Sequence, residues 1–232
     1  DMDNLLLKGF AVGSTYMTDV DPDQDALTSD GVSIFGLDAE LPIIDIPVLR
    51  TILYTDFAKI SGHGSGTAVG VEMLVRDIAG TFTVQAQLER RFLKAGFMPS
   101  YFDAFYELDR HRIVNGVPVS KKSLLASAPE TRGTFGLLYG TVLNTFELGG
   151  TYQRLDGVDE SGVLHLQAVI PETVPSFSFR ATYDRTGISG FGDAFKLDDR
   201  SVSRIGIGYK LNQFIVVYMD YIWTYKFMPH IF

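Results

Sequence analysis

Polar and apolar residues alternate one for one through most of this chain, and the alternation restarts after each polar break. In Phe214 to Phe227 the odd positions Ile215, Val217, Met219, Tyr221, Trp223, Tyr225 and Phe227 are apolar or aromatic, while Asp220, Thr224 and Lys226 stand among the even ones. A strand sends successive side chains to opposite faces, so one face of this segment is wholly greasy and the other is mixed. The same reading gives Ile205, Ile207, Tyr209 and Leu211 against Arg204, Gly206, Gly208 and Lys210. Phe177, Phe179, Ala181 and Tyr183 oppose Ser178, Arg180, Thr182 and Asp184; Leu164, Leu166, Ala168 and Ile170 oppose His165 and Gln167. Phe146, Leu148 and Tyr152 oppose Glu147, Thr151 and Gln153, and Phe135, Leu137, Tyr139 and Leu143 oppose Thr134, Gly136 and Gly140. Further upstream, Phe82, Val84, Ala86 and Leu88 face away from Gln85, Gln87, Glu89 and Arg91; Val69, Val71, Met73 and Val75 from Gly70, Glu72 and Arg76; and Phe35, Leu37, Ala39, Leu41 and Ile43 from Asp38 and Glu40. Leu5–Met17 and Leu49–Ile60 alternate less cleanly. The pattern predicts roughly eleven strands of about 9–14 residues, longer than the common strand of about 5–6.

Two all-β readings compete. In a soluble sandwich the greasy rows make a core; in a transmembrane barrel they face lipid and the polar rows enclose the interior. Three features favour the barrel. Aromatics such as Tyr16, Phe35, Phe82, Tyr139, Tyr152, Tyr209 and Tyr225 recur near the expected strand ends, where membrane barrels carry their girdles. The polar rows are rich in Gly, Ser, Thr and Gln and poor in Lys, unlike a wetted surface. Connections alternate short (Asp45–Val48, Ala79–Gly80, Asn212–Gln213) and long (19–31, 93–130, 187–200), as expected for turns on one side of a membrane and loops on the other.

On these residues, and on the aromatic final hairpin (Ile205-Gly-Ile-Gly-Tyr-Lys-Leu, Asn-Gln, Phe214-Ile-Val-Val-Tyr), the chain resembles the bacterial outer-membrane β-barrel class over nearly all its 232 residues. The terminal Phe232 is similar to the outer-membrane assembly signal of that class. The resemblance implies an antiparallel transmembrane β-barrel of about 12 strands, with 10 or 14 as the neighbouring even numbers. It implies one domain over 1–232, the outer membrane as location, and the lipid bilayer and lipopolysaccharide as partners, with a partner protein at the outer loops as a further expectation.

Composition narrows the chemistry. Cysteine is absent, which excludes disulfides, thiol catalysis and thiolate metal sites. The net charge of −8, with no Lys/Arg block, argues against a nucleic-acid partner. No stretch reaches the roughly 18 apolar residues of a transmembrane helix. The opening at Asp1 rather than Met fits a leader already removed.

Candidate functional residues fall in four places. The polar row Glu72, Arg76, Glu89, Arg91, Glu147, Arg180, Asp184, Arg204, Lys210, Asp220 and Lys226 would line a lumen and select solutes by charge, or else pair across strands and fill it. Asp19, Asp21, Asp23 and Asp30 match positions of a calcium loop, although Gln24 stands where the turn needs glycine and Pro22 stiffens it; no other cofactor is expected. Gly62-His-Gly-Ser-Gly66 carries a His63-x-Ser65 pair similar to that of outer-membrane lipid hydrolases, in a glycine-rich turn with no assignable orienting residue. The long connection Phe92–Arg132 holds Phe97, Met98, Tyr101, Phe102, Phe105 and Tyr106, expected to order as a plug or lid or to meet a partner. The leading functional expectation is a porin-like channel for small polar solutes. A structural or anchoring barrel is the alternative, a lipid hydrolase comes third, and catalysis is not expected.

Overall fold

The computed structural model describes residues 9–22, 31–99, 101–102, 106, 110–114, 117–143, 145–170, 177–212 and 214–225, with backbone only at 77, 111–114 and 117–118. The fold is all-β and antiparallel. Its strands are β1 (Ala11–Asp19), β2 (Val32–Ile46), β3 (Leu49–Ile60), β4 (Ser65–Ile78), β5 (Phe82–Leu93), β6 (His111–Val114), β7 (Val117–Ser120), β8 (Thr131–Val142), β9 (Phe146–Leu155), β10 (Gly162–Ile170), β11 (Phe177–Ile188), β12 (Ser201–Lys210) and β13 (Val216–Thr224). An 11-stranded sheet follows chain order, β1-β2-β3-β4-β5-β8-β9-β10-β11-β12-β13, while β6 and β7 form a separate hairpin inside the long connection. A five-residue helix α1 (Lys121–Leu125) follows that hairpin, capped by the Ser120 hydroxyl accepting from the Ser123 amide.

The sheet is therefore an up-and-down meander of the eleven strands that the alternation predicts, one fewer than the 12 that the resemblance implies. Among the described residues no ladder joins its two ends. Connections 47–48 and 79–81 are short, as expected; at the other end of the strands 20–31, 94–130 and 189–200 are long, but 61–64 departs from the expected alternation as a tight turn closed by the Ile60 amide donating to the Gly64 carbonyl at 3.1 Å. The turn Ile78–Thr81 is also tight: Ala79 and Gly80 both take positive φ, 52° and 69°, and the Thr81 amide donates to the Ile78 carbonyl at 3.1 Å. That is the primed turn that matches strand twist.

The chain divides into two compact units. The first holds Asp1–Ile43, Ile52–Val71 and Glu89–Gly133. In it β1 and β2 pair with Val12 opposite Ala39 and Tyr16 opposite Phe35, which puts the greasy row of β2 beside Val12 and Tyr16; Gly13 opposite Asp38 lies on the other face. The long connection folds onto the ends of β2 and β3: Tyr101, Tyr106 and Leu125 pack with Val32 and Ile60 in a dry cluster, with Ile34, Phe97, Met98 and Phe102 around it.

The second unit holds Ile44–Thr51, Glu72–Leu88 and Thr134–Phe232. Its registers align the rows across strands. Leu148 pairs Ala168, Ala168 pairs Ala181, Ala181 pairs Ile205, and Ile205 pairs Tyr221. Val169, Arg180, Gly206 and Asp220 align in the same way on the opposite face. One strand departs from expectation. A Cβ on Gly149 would lie 2.5 Å from the Tyr139 ring, so Tyr139 shares the face of Gly149, Glu147 and Thr151. Phe135, Leu137 and Tyr139 thus turn to the polar-row side of β8, and Leu138, 61% exposed, takes the apolar side. Period alone could not choose, because β8 has apolar residues on both rows and glycines that leave room for either packing.

The greasy rows are open: Val12, Phe35, Leu148, Ile207, Val217, Met219 and Tyr221 are all exposed. Apart from Ile52, every buried apolar residue described lies at the long-loop ends of strands or in the long loops.

Candidate functional site

The polar face of the first unit carries a charged group beneath the folded connection. Tyr54 on β3 lies over Gly70 of β4, where a Cβ would meet the ring at 2.2 Å, and its hydroxyl donates to Glu89 Oε2 at 2.9 Å. Glu89 Oε1 accepts from Arg91 Nε on the same strand, two residues on and so on the same face. Glu89 is buried; the pair with Arg91 and the Tyr54 hydroxyl supply what an ionised carboxylate needs there. Asp56, Gly66, Glu89, Arg91, Phe97 and Pro99 line a cavity of about 220 Å³.

Glycines let the long connection sit on this cavity. A Cβ on Gly66 would lie 2.4 Å from the Phe97 ring, and one on Gly64 would lie 2.3 Å from the Ala95 carbonyl. The Gly64 amide donates to the Gly96 carbonyl at 3.0 Å, and the Gly96 amide to Ala128 at 2.9 Å. The lid is latched a second time at β1: Tyr106 donates to Asp19 Oδ2 at 2.8 Å, and Arg110 Nη1 lies 3.3 Å from the same oxygen. Lys121 Nζ lies 5.5 Å from the centres of both the Tyr101 and Tyr106 rings. Burial first, and then donation to Asp19, push the Tyr106 hydroxyl far above its ordinary pKa, so it stays a donor.

In the second unit the polar face holds a larger cavity, about 420 Å³, lined by Ser178, Arg180, Gly206, Gly208, Tyr218 and Asp220. Asp220 leans over Gly206, where a Cβ would meet its Oδ1 at 2.4 Å, and Ser178 and Tyr218 crowd Gly208 likewise. Four residues along β10 and β11 from Val169 and Arg180, His165 Nδ1 lies 2.6 Å from Asp184 Oδ1.

The sequence-derived candidates distribute as follows. Glu89 forms an ion pair with Arg91, and Asp184 lies within hydrogen-bond distance of His165. Among the described residues Glu72, Arg76, Glu147, Arg180, Arg204, Lys210 and Asp220 form no ion pair. Lys226, Asp23 and Asp30 lie outside the described residues. Asp19 commits one carboxylate oxygen to Tyr106 and Arg110 and the other to the Asp21 amide at 3.0 Å. Among the described residues no three His, Asp or Glu converge as metal ligands. No hydrogen bond joins His63 to Ser65; His63 instead offers its carbonyl to Lys59 Nζ at 2.6 Å. Tyr54 and Asp56 were missed from sequence because β3 alternates poorly. The sign for Tyr54 was Gly70, a gap on the neighbouring strand that its ring fills.

No protein-family model and no curated protein matches the chain. Among the described residues no helix is long and apolar enough to cross a membrane, which bears on helices and not on strands.

Proposed function

We propose that this protein is an outer-membrane β-barrel that passes small polar solutes, with its apolar rows against lipid and its charged rows around water. One observation carries the reading: the apolar rows are exposed along the strands, while seven charged side chains of the opposite row have no ion-pair partner among the described residues. Contiguous exposed apolar surface needs an apolar neighbour. Unpaired charges need water, since burying them unpaired costs several kcal/mol each. In lipid the edge groups of β1 and β13 must also be paired. Single-channel recording in planar bilayers tests the proposal: discrete conductance steps are expected, and a chain that inserts yet stays silent refutes the channel.

The ordered lid favours a second reading, a structural barrel that presents its long loops to a partner protein. An inserted but silent chain would leave that reading standing.

A further inference from the structure

The connection between β11 and β12 does not lean toward the polar face. Two side chains of the apolar row hold it. Tyr183, which follows Phe179 and Ala181 on that row, shares its one hydroxyl hydrogen between the carbonyls of Lys196 at 2.9 Å and Ala194 at 3.1 Å. Arg185, next on the row and fully buried, donates to the Lys196 carbonyl at 2.6 Å, to Ser201 Oγ at 2.6 Å, and to both Asp198 oxygens at 2.7 and 3.0 Å. Both anchors rise from the greasy side of β11, so the segment they hold lies on that side, past the strand end.

What this tethered loop displays is apolar. Phe191 is 87% exposed, Phe195 62% and Leu197 59%. Phe195 stacks on Tyr183, with ring centres 6.5 Å apart and planes 18° apart, and Phe191 meets Phe195 edge-on at 6.4 Å. The rings thus continue the apolar row of β11 without a break. Lys196, paired with Asp193, sits among them. A loop that bolts its backbone down this firmly and still leaves two phenylalanines in the open is built for an apolar medium.

We infer that residues 191–197 are an interfacial anchor, with Phe191, Phe195 and Leu197 entering the acyl chains of the leaflet on the long-loop side and Lys196 at headgroup level. The occupant is lipid rather than a partner protein, because the patch is continuous with the face turned to lipid in the proposal above, on which this inference rests.

The chain's one tryptophan, Trp223, makes the two claims separable. The full chain is reconstituted in phosphatidylcholine vesicles with and without lipids brominated on the acyl chains. Wild-type emission reads the apolar row at β13. The Trp223→Phe/Phe191→Trp variant reads the loop; Phe191 is so exposed that the change costs little packing. Phe195→Trp in the same background is the second reporter. The expected result is at least twofold quenching by brominated lipid at both places, strongest in the loop for bromines near the headgroup, with little quenching by aqueous iodide. If Trp223 is quenched but neither loop reporter is, and iodide reaches the loop, the anchor is overturned while the membrane reading stands. If Trp223 is not quenched either, both fall.

Discussion

The Tyr106 hydroxyl donates to Asp19 Oδ2 at 2.8 Å across 87 residues of sequence. That contact ties the end of β1 to the connection that roofs the acidic cavity, and Arg110 reinforces it from 3.3 Å. Removing the hydroxyl as Tyr106→Phe leaves the aromatic packing and deletes one charge-assisted hydrogen bond, worth about 2 kcal/mol. Limited proteolysis within 94–130 is expected to speed up by roughly tenfold or more. Unchanged cleavage would mean that packing on Val32 and Ile60 alone holds the lid.

Asp198 gives the loop after β11 a pH limit. Hydrogen bonds from Arg185 hold its carboxyl at about 2 against an ordinary 3.8. A depressed carboxyl pKa stabilises the folded form above the unfolded value and loses that contribution as pH falls through it. The loop should therefore stay closed down to about pH 4 and open between about 4 and 2. Pepsin cleavage within 189–200 should rise over that interval, and Asp198→Asn should cleave at its higher rate throughout.

The two faces of the sheet should respond oppositely to charge. Ile205, paired with Ala181 and Tyr221 on the apolar face, should tolerate lysine badly. A lysine near the bilayer midplane of a barrel costs about 2–4 kcal/mol. Gln167, on the polar face opposite Thr182, should accept the same change within about 0.5 kcal/mol. Folding into vesicles from urea measures both. Equal tolerance would contradict the assignment of faces.

Arg180 has no ion pair to lose among the described residues and lines the larger cavity. Arg180→Glu should leave stability within about 0.5 kcal/mol while moving the reversal potential in a salt gradient toward cations. A potential that does not move would place Arg180 off the conducting path.

The Ile78–Thr81 turn stores removable strain. Ala79 holds φ at 52°, a conformation that costs a non-glycine residue about 1–2 kcal/mol. Ala79→Gly should raise the midpoint of thermal unfolding. A lowered midpoint would show that glycine's extra freedom in the unfolded chain outweighs the relief.

The alternation by itself determined the eleven long strands and, β8 apart, the rows they present, because side chains of a strand must point to alternate faces and eleven segments repeat the pattern; the twelfth strand came from the barrel resemblance. It also marked the charged row, and the registers of β9 to β13 align that row strand by strand. The tertiary structure alone decided which row of β8 joins the polar rows of its neighbours, since the space over Gly149 belongs to a neighbouring strand. It decided that Gly64 and Gly66, rather than His63 and Ser65, matter in that turn, because the reason is a lid arriving thirty residues later. It joined Tyr54 to Glu89 and Asp19 to Tyr106. Alternation is local and can be read one residue from the next, whereas a cavity, a latch or a roof depends on distances between segments that no local period records.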